Sequence, residues 1–347
     1  MKIKNVEFAP LWVPLGRRLE TLGMAITISM IILSSLSWIV IIPYTLLFTR
    51  YWWIVPVYII WTIIDKDSAS SGEPKYFARS KYRPLWDLYN YTSLWALYRR
   101  YLSASLIKTY DLPADKSYLF ASYPHGTLGF GVFGNCFNGA SPFRHLFPGL
   151  NAFMLVLGEH FKIPIGRELL INFGFRDASE KSLINILDGK KGNVAILLVG
   201  GVAEAFNSFP GPIHIIVNKR KGFVRIALKT GASIVPVFSF GEHNLYRKHE
   251  VAPNSLCHKF LKLVNWRGDR ILPNGRGLLQ YTFGILPRRC SIVTVVGKPI
   301  DVPKISNPTT EEINKYHEIY VTELKKLFDE HKTKYSTYPE EMNMILD

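Results

Sequence analysis

Residues 21–49 carry no charged side chain, and after Arg50 a second apolar run covers residues 51–64. A hydrocarbon core about 30 Å thick takes about 20 apolar residues as helix, so the first run is long enough to span it and the second is short. Pro43 and Pro56 punctuate the pair. The pattern predicts a transmembrane helical hairpin over residues 21–64: one helix in, a break between Pro43 and Arg50, and a second helical segment back out. A single span is the alternative. A cleaved signal peptide fits poorly, because the apolar stretch is too long and starts too late. Lys2, Lys4, Arg17 and Arg18 precede the hairpin; Lys66, Lys75, Arg79, Lys81 and Arg83 follow it. Positive charge on both flanks predicts that both ends face the cytosol. The chain then divides into a cytosolic segment over 1–20, the hairpin over 21–64 and a cytosol-facing domain over 65–347.

Charge agrees with that placement. The 42 Lys and Arg against 27 Asp and Glu give a formal charge of +15, which calls for a polyanionic partner: nucleic acid, an anionic membrane face or a phosphate-rich substrate. Many of the 8 Trp and 18 Tyr lie near the apolar segment. That position favours a membrane interface over nucleic acid. Cys136, Cys257 and Cys290 are an odd, sparse set, which argues against a disulfide framework and for a reducing compartment. On the same ground the sequon Asn90-Tyr91-Thr92 reads as a chance match.

Beyond Asp65 the pattern is that of an α/β domain. Short apolar runs at 118–122, 153–157, 194–199, 213–217, 234–240 and 292–296 read as buried strands. Helical segments alternate with some of them. Residues 178–187 place Leu183, Ile184 and Leu187 on one face; residues 223–229 do the same with Val224, Ala227 and Leu228 and end at Gly231, a C-terminal cap. Thr309 and Glu312 make a capping box that opens a long helix with an apolar face of Ile313, Tyr316, Tyr320, Leu324, Leu327 and Phe328. The expectation is a mostly parallel sheet with helical cover.

Tyr123-Pro124-His125-Gly126 follows the first of these strands. Pro and Gly fix a turn there, and an imidazole so held can take a proton from a hydroxyl near neutral pH. Gly129-Phe130-Gly131-Val132-Phe133-Gly134 fits a dinucleotide fingerprint, but no Asp or Glu stands between Gly134 and Glu159 to hold a ribose, so it reads as a close-packing loop. There is no G-x-S-x-G elbow, no phosphate-binding G-x-x-x-x-G-K-[ST] loop and no C-x-x-C or H-E-x-x-H spacing. Serine lipase, P-loop and zinc chemistry therefore have no foothold. Gly200-Gly201-Val202-Ala203-Glu204 puts a carboxylate after a buried strand, where it could orient an imidazole, bind a substrate hydroxyl or simply face solvent. Lys219, Arg220 and Lys221 precede a helix N-terminus, where cations hold phosphates or form a solvated turn. Gly241-Glu242-His243 closes another strand; His243 reads as a second base or a structural loop histidine.

These stretches together resemble the type-2 diacylglycerol acyltransferase family, which includes the monoacylglycerol and wax-alcohol acyltransferases. The resemblance rests on Tyr-Pro-His125-Gly, Gly200-Gly201-x-x-Glu204, the block from Arg220 to Ala227 and the block from Val235 to Glu242. It extends from Pro10-Leu11-Trp12 through Gly275-Arg276-Gly277 and Thr294-to-Ile300 to His331-Lys332-Thr333. It implies an endoplasmic-reticulum enzyme with a cytosolic active site that transfers acyl groups from acyl-CoA to diacylglycerol and associates with lipid droplets. Monoacylglycerol or a long-chain alcohol is the alternative acceptor. It further implies His125 as general base with Glu204 as its orienting carboxylate. Amides of residues 126–131 would hold the oxyanion, and Lys219, Arg220, Lys221 and Arg176 the CoA phosphates. Tyr123, Pro124, Gly126, Gly200, Gly201 and Glu242 complete the expected substrate site. Acyl-CoA is a co-substrate; no bound cofactor, metal or nucleic acid is expected, and homo-oligomerisation stays open. Two departures stand out. Many animal members have His where Tyr123 stands, and related soluble-headgroup acyltransferases have Asp where Phe130 stands. A protein of a different class, a droplet coat or lipid tether, would share the hairpin and basic surface without needing His125 or Glu204.

Overall fold

The computed structural model describes residues 2–3, 6–70, 93–263, 270–336 and 342–347. Lys75, Arg79, Lys81, Arg83 and the Asn90 sequon lie outside them. Helix α1 (Leu15–Leu36) continues through a π turn (Ser37–Ile41) into α2 (Ile42–Phe48). Pro43 lies in the first turn of α2. In a regular helix its ring would meet a carbonyl one turn back, and the wider π turn just before it makes room. The helical path thus runs past Pro43, and it is interrupted at residues 49–53, before α3 (Ile54–Ile64). Pro56 sits in the first turn of α3, where a missing N–H costs nothing.

Among the described residues no single helix is both long enough and apolar enough to cross a membrane. The first turns of α1 pack on the domain, with Met24 and Ile28 buried against Trp95 and Tyr98 of α4 (Ser93–Tyr101). By contrast α2 and α3 leave Leu47, Phe48, Ile60, Ile63 and Ile64 more than half exposed.

The domain is an α/β fold around one seven-stranded, mostly parallel sheet. Its strands are β1 (Ser105–Lys108), β2 (Tyr118–Tyr123), β3 (Asn151–Val156), β4 (Arg176–Asp177), β5 (Asn193–Leu198), β6 (Ser233–Phe240) and β7 (Val293–Val296). The order is β1-β7-β6-β2-β5-β3-β4. From β6 to β4 all neighbours are parallel; β7 is antiparallel to β6 and parallel to β1. The central strands are apolar throughout because both faces are covered, and every residue of β2 and β6 is buried. The run at 213–217 does form a strand, over Ile213–Ile215, but it pairs with Met344–Leu346 outside this sheet. His214 faces solvent there, so only one side of that strand is buried.

Helices α5 (Gly166–Phe173), α6 (Glu180–Leu187), α7 (Gly201–Ala205), α8 (Gly222–Thr230) and α9 (Thr310–Tyr335) follow or flank the strands. The Ser179 hydroxyl accepts from the Ser182 N–H to start α6, and α8 stops at left-handed Gly231. The capping box of Thr309 and Glu312 is formed. Tyr320, Leu324, Leu327 and Phe328 of α9 are buried, and Phe328 stacks on Phe240 and edges onto Phe238 of β6.

Candidate active site

Chain order sets the site. From β2 the chain moves to one side of the sheet, through β3, β4 and β5, and then returns to β6 on the other side of β2. Ligands of open α/β sheets bind at such a reversal, beyond the C-terminal strand ends. Since β6, β2 and β5 are parallel neighbours, their C-terminal ends bring together Glu242, His125 and Glu204.

His125 follows a cis Tyr123–Pro124 peptide. Its Nδ1 lies 2.9 Å from the carbonyl oxygen of Gly126. A carbonyl only accepts, so Nδ1 carries the hydrogen and the lone pair stays on Nε2. Burial lowers the imidazole pKa below its usual 6.5, with the Gly126 carbonyl acting the other way. The ring is therefore neutral at pH 7.

Glu204 meets His125 through the main chain. Its Oε1 accepts the His125 backbone N–H at 3.0 Å, which fixes the residue rather than the ring. The two glycines before it make this geometry: a Cβ on Gly200 would overlap the Glu204 carboxylate, and Gly201 holds a left-handed φ of +66°. Burial raises the Glu204 pKa to about 7, against the His125 amide and the Arg220 charge.

Glu242 clamps the other side of the loop. It accepts the N–H of Phe130 at 2.8 Å and of Gly131 at 2.7 Å. A Cβ on Gly126 would overlap it. Burial raises its pKa to about 7, opposed by those two N–H groups. The departure at Phe130 thus gains a structural meaning: a carboxylate does reach this position, from the end of the neighbouring strand, and binds the backbone. With the amides of Phe130 and Gly131 bound to Glu242, these two drop out of the expected oxyanion donors.

The other expected residues divide. Arg220 brings Nη2 to 3.9 Å from the Cβ position of Gly201, beside Glu204. Lys219 is exposed, and Lys221 donates to Asn314 of α9 at 2.7 Å. The Tyr123 hydroxyl donates to the carbonyl of Ile216 at 3.3 Å, pointing into the core under α8 and α9. Arg176 stands on edge strand β4, three strands from β2, roughly 14 Å at the usual spacing. It is fully buried and donates to the Phe175 carbonyl at 2.6 Å, while its Nε and Nη2 have no hydrogen-bond partner among the described residues. Burial lowers its pKa to about 10. His243 is buried, with a pKa lowered by burial to about 4. It is neutral and suits a structural role. One contributor has no signature of its own in the sequence. The Tyr98 hydroxyl donates to the Phe130 carbonyl at 2.9 Å, under the same loop that Glu242 holds. A tyrosine in an amphipathic helix gives no sign that it will meet a loop 32 residues on.

Glutamine at position 204 keeps an oxygen for the His125 N–H and loses the charge. Glu204→Gln should therefore cost about tenfold in kcat, and Glu204→Ala, which leaves the amide unpaired, about a hundredfold. KM for acyl-CoA should stay within twofold in both. Equal losses in kcat would mean that the charge, not the hydrogen bond, is what matters.

A neutral imidazole with an uncommitted lone pair can deprotonate a hydroxyl, the first need of an enzyme that makes esters. Known proteins narrow this. The chain belongs to the diacylglycerol acyltransferase family, whose model matches residues 44–347, and it is an acyltransferase of lipid biosynthesis. It is 39% identical over 335 residues to diacylglycerol O-acyltransferase 2 of Dictyostelium discoideum, covering 94% of this chain and 96% of that one. To 2-acylglycerol O-acyltransferase 1 of Bos taurus it is 36% identical over 344 residues, covering 98% and 99%. To acyl-CoA wax alcohol acyltransferase 2 of Mus musculus it is 35% identical over 301 residues, covering 86% and 87%. Among solved structures, a 1-acyl-sn-glycerophosphate acyltransferase from Thermotoga maritima matches at 15% identity with a TM-score of 0.39, covering 90% of this chain and 97% of that one.

Proposed function

We propose that this protein esterifies diacylglycerol with the acyl group of acyl-CoA to give triacylglycerol, at the endoplasmic reticulum membrane and its lipid droplets. The observation that carries this is the neutral His125, with Nε2 free, held at the joined ends of β2, β5 and β6 by Glu204 and Glu242. His125 Nε2 takes the proton of the acceptor hydroxyl as its oxygen attacks the thioester carbon. The tetrahedral intermediate then collapses, the C–S bond breaks, and the imidazolium returns its proton to the departing CoA thiolate. Amides of residues 126–129 stabilise the oxyanion, each such donor being worth about 3–4 kcal/mol. Arg220 and Lys219 bind CoA phosphates at the exposed turn before α8. The exposed apolar faces of α2 and α3 embed in the bilayer as a hairpin, at the level where a glyceride acceptor dissolves.

The identity to a 2-acylglycerol acyltransferase supports monoacylglycerol as a second acceptor. Membranes carrying the protein, given radiolabelled acyl-CoA and equal amounts of diacylglycerol, 2-monoacylglycerol or a long-chain alcohol, should yield mainly triacylglycerol on thin-layer chromatography. A faster monoacylglycerol or alcohol reaction overturns the choice of acceptor. No neutral-lipid product at all would favour the coat or tether.

A further inference from the structure

Residues near the start of α1 and the loop around residues 276–289 enclose a cavity of about 770 Å³, a size typical of small-molecule sites. None of the residues placed in the acyl-transfer site lines it. Its wall is chemically split. Leu19, Leu22 and Leu279 form an apolar side and are 42%, 46% and 58% exposed. Five arginines, at 17, 18, 276, 288 and 289, form the other. Among the described residues, Glu20 is the only carboxylate paired with any of them; it meets Arg17 at 3.4 Å and Arg289 at 2.5 Å.

Arg276 is 7% exposed. Its Nε donates to the Gly277 carbonyl at 3.1 Å, and its guanidinium lies 4.4 Å from the Tyr281 ring. Arg288 donates to the carbonyls of Tyr281 and Thr282, and its buried Nε has no hydrogen-bond partner among the described residues. Burial first, and then neighbouring guanidiniums, lower the pKa of both: Arg289 acts on Arg276, and Arg247 and Arg276 act on Arg288. Crowded, half-desolvated cations with one carboxylate among them call for an anion. The planar guanidinium fork matches a phosphate in geometry as well as charge. A free phosphate or a nucleotide has no use for the leucine side, whereas a phospholipid uses both sides. Leu19 and Leu22 also lie on α1, which leads into the charge-free run.

We propose that this cavity binds the phosphate headgroup of an anionic phospholipid, with its acyl chains along Leu19, Leu22 and Leu279. The full chain in neutral detergent, titrated with dioctanoyl phosphatidate, should bind it saturably. Chain-matched diacylglycerol, inorganic phosphate and CoA in tenfold excess should fail to displace it. Arg276→Gln combined with Arg288→Gln should weaken binding about tenfold or more, since each removes charge-assisted hydrogen bonds. Glu20→Gln, which removes the one carboxylate from Arg289 and leaves its bonds to the Arg17 carbonyl and the Thr21 hydroxyl, should strengthen it a few-fold. Leu279→Asp changes an exposed side chain and should weaken it without touching Arg276 or Arg288, which keeps the test open if the arginine variant fails to fold. Displacement by CoA or by inorganic phosphate overturns the proposal, as does unchanged affinity in Leu279→Asp or in a folded double variant. Binding is read without turnover, so it stands or falls separately from the acyl-transfer reading.

Discussion

His125→Ala should lower acyl transfer by about 10²–10⁴-fold, the range that a positioned general base supplies. Alanine removes the Nε2 lone pair but keeps the backbone N–H at position 125, so the bond to Glu204 survives. The loop and the fold should therefore be unchanged, and the loss should appear in kcat with KM for acyl-CoA little altered. Glu242 cannot substitute, because both its oxygens accept backbone amides. Glu204 accepts the His125 amide through Oε1 alone, so a residual rate that Glu204→Gln removes would show Glu204 acting as a weak base. The pH profile adds a second test. A base works only when unprotonated, and burial holds His125 below its usual 6.5. Wild-type kcat/KM should be flat above that value and fall on acidification below it. A limb centred near 7 that disappears in Glu204→Gln would instead assign the titration to Glu204, whose pKa burial raises to about 7. Near-normal turnover in microsomes from His125→Ala would remove His125 from the mechanism.

What could be read from the sequence follows from how each part is stabilised. The central strands were legible because a parallel sheet covered on both faces must be made of continuous apolar runs. Edge strands lack that signal. In β1, Ser105 and Lys108 bracket two apolar residues, and β4 is only Arg176 and Asp177. The strand Ile213–Ile215 looked like its neighbours, but its partner lies at residues 344–346, too far along the chain for any local pattern to indicate. In the N-terminal apolar run, a proline marks a break, but the π turn that accommodates Pro43 has no simple sequence mark. At the site, the three stretches around His125, Glu204 and Glu242 were visible one by one as polar groups after apolar strands. Which atoms meet was not. A carboxylate beside a histidine suggests contact with the imidazole, whereas Glu204 turns back over Gly200 to the His125 amide. That outcome depends on the absence of one Cβ and can be recognised only once the three strand ends are adjacent.

The second large effect is expected at Glu242. Glu242→Ala leaves the N–H groups of Phe130 and Gly131 buried without an acceptor, at a cost of about 1–3 kcal/mol each, a large share of a domain's net stability. The loop that carries His125 loses its clamp, so kcat should fall about a hundredfold or more and the thermal midpoint should drop by several degrees. Glu242→Gln separates positioning from bulk. Its carbonyl oxygen accepts one N–H while its amide faces the other, donor against donor, so kcat should fall between wild type and alanine. A purely structural role would lower stability in both variants and leave kcat intact in whatever protein stays folded. Stability against pH gives a further readout. Burial raises the Glu242 pKa from its usual 4.5 to about 7, so between those values the folded state holds a proton that the unfolded state releases. The group's contribution is full below about 4.5 and is lost as pH rises to about 7. Taken alone, this group makes the midpoint rise from pH 8 to pH 5, while His125 and His243, whose pKa burial lowers, act the other way over the same range. Glutamine cannot titrate, so the midpoint of wild type relative to Glu242→Gln should rise from pH 8 to pH 5, the other titrating groups being common to both. An identical slope in wild type and Glu242→Gln would mean that Glu242 is ionised throughout and that its two N–H donors outweigh its burial.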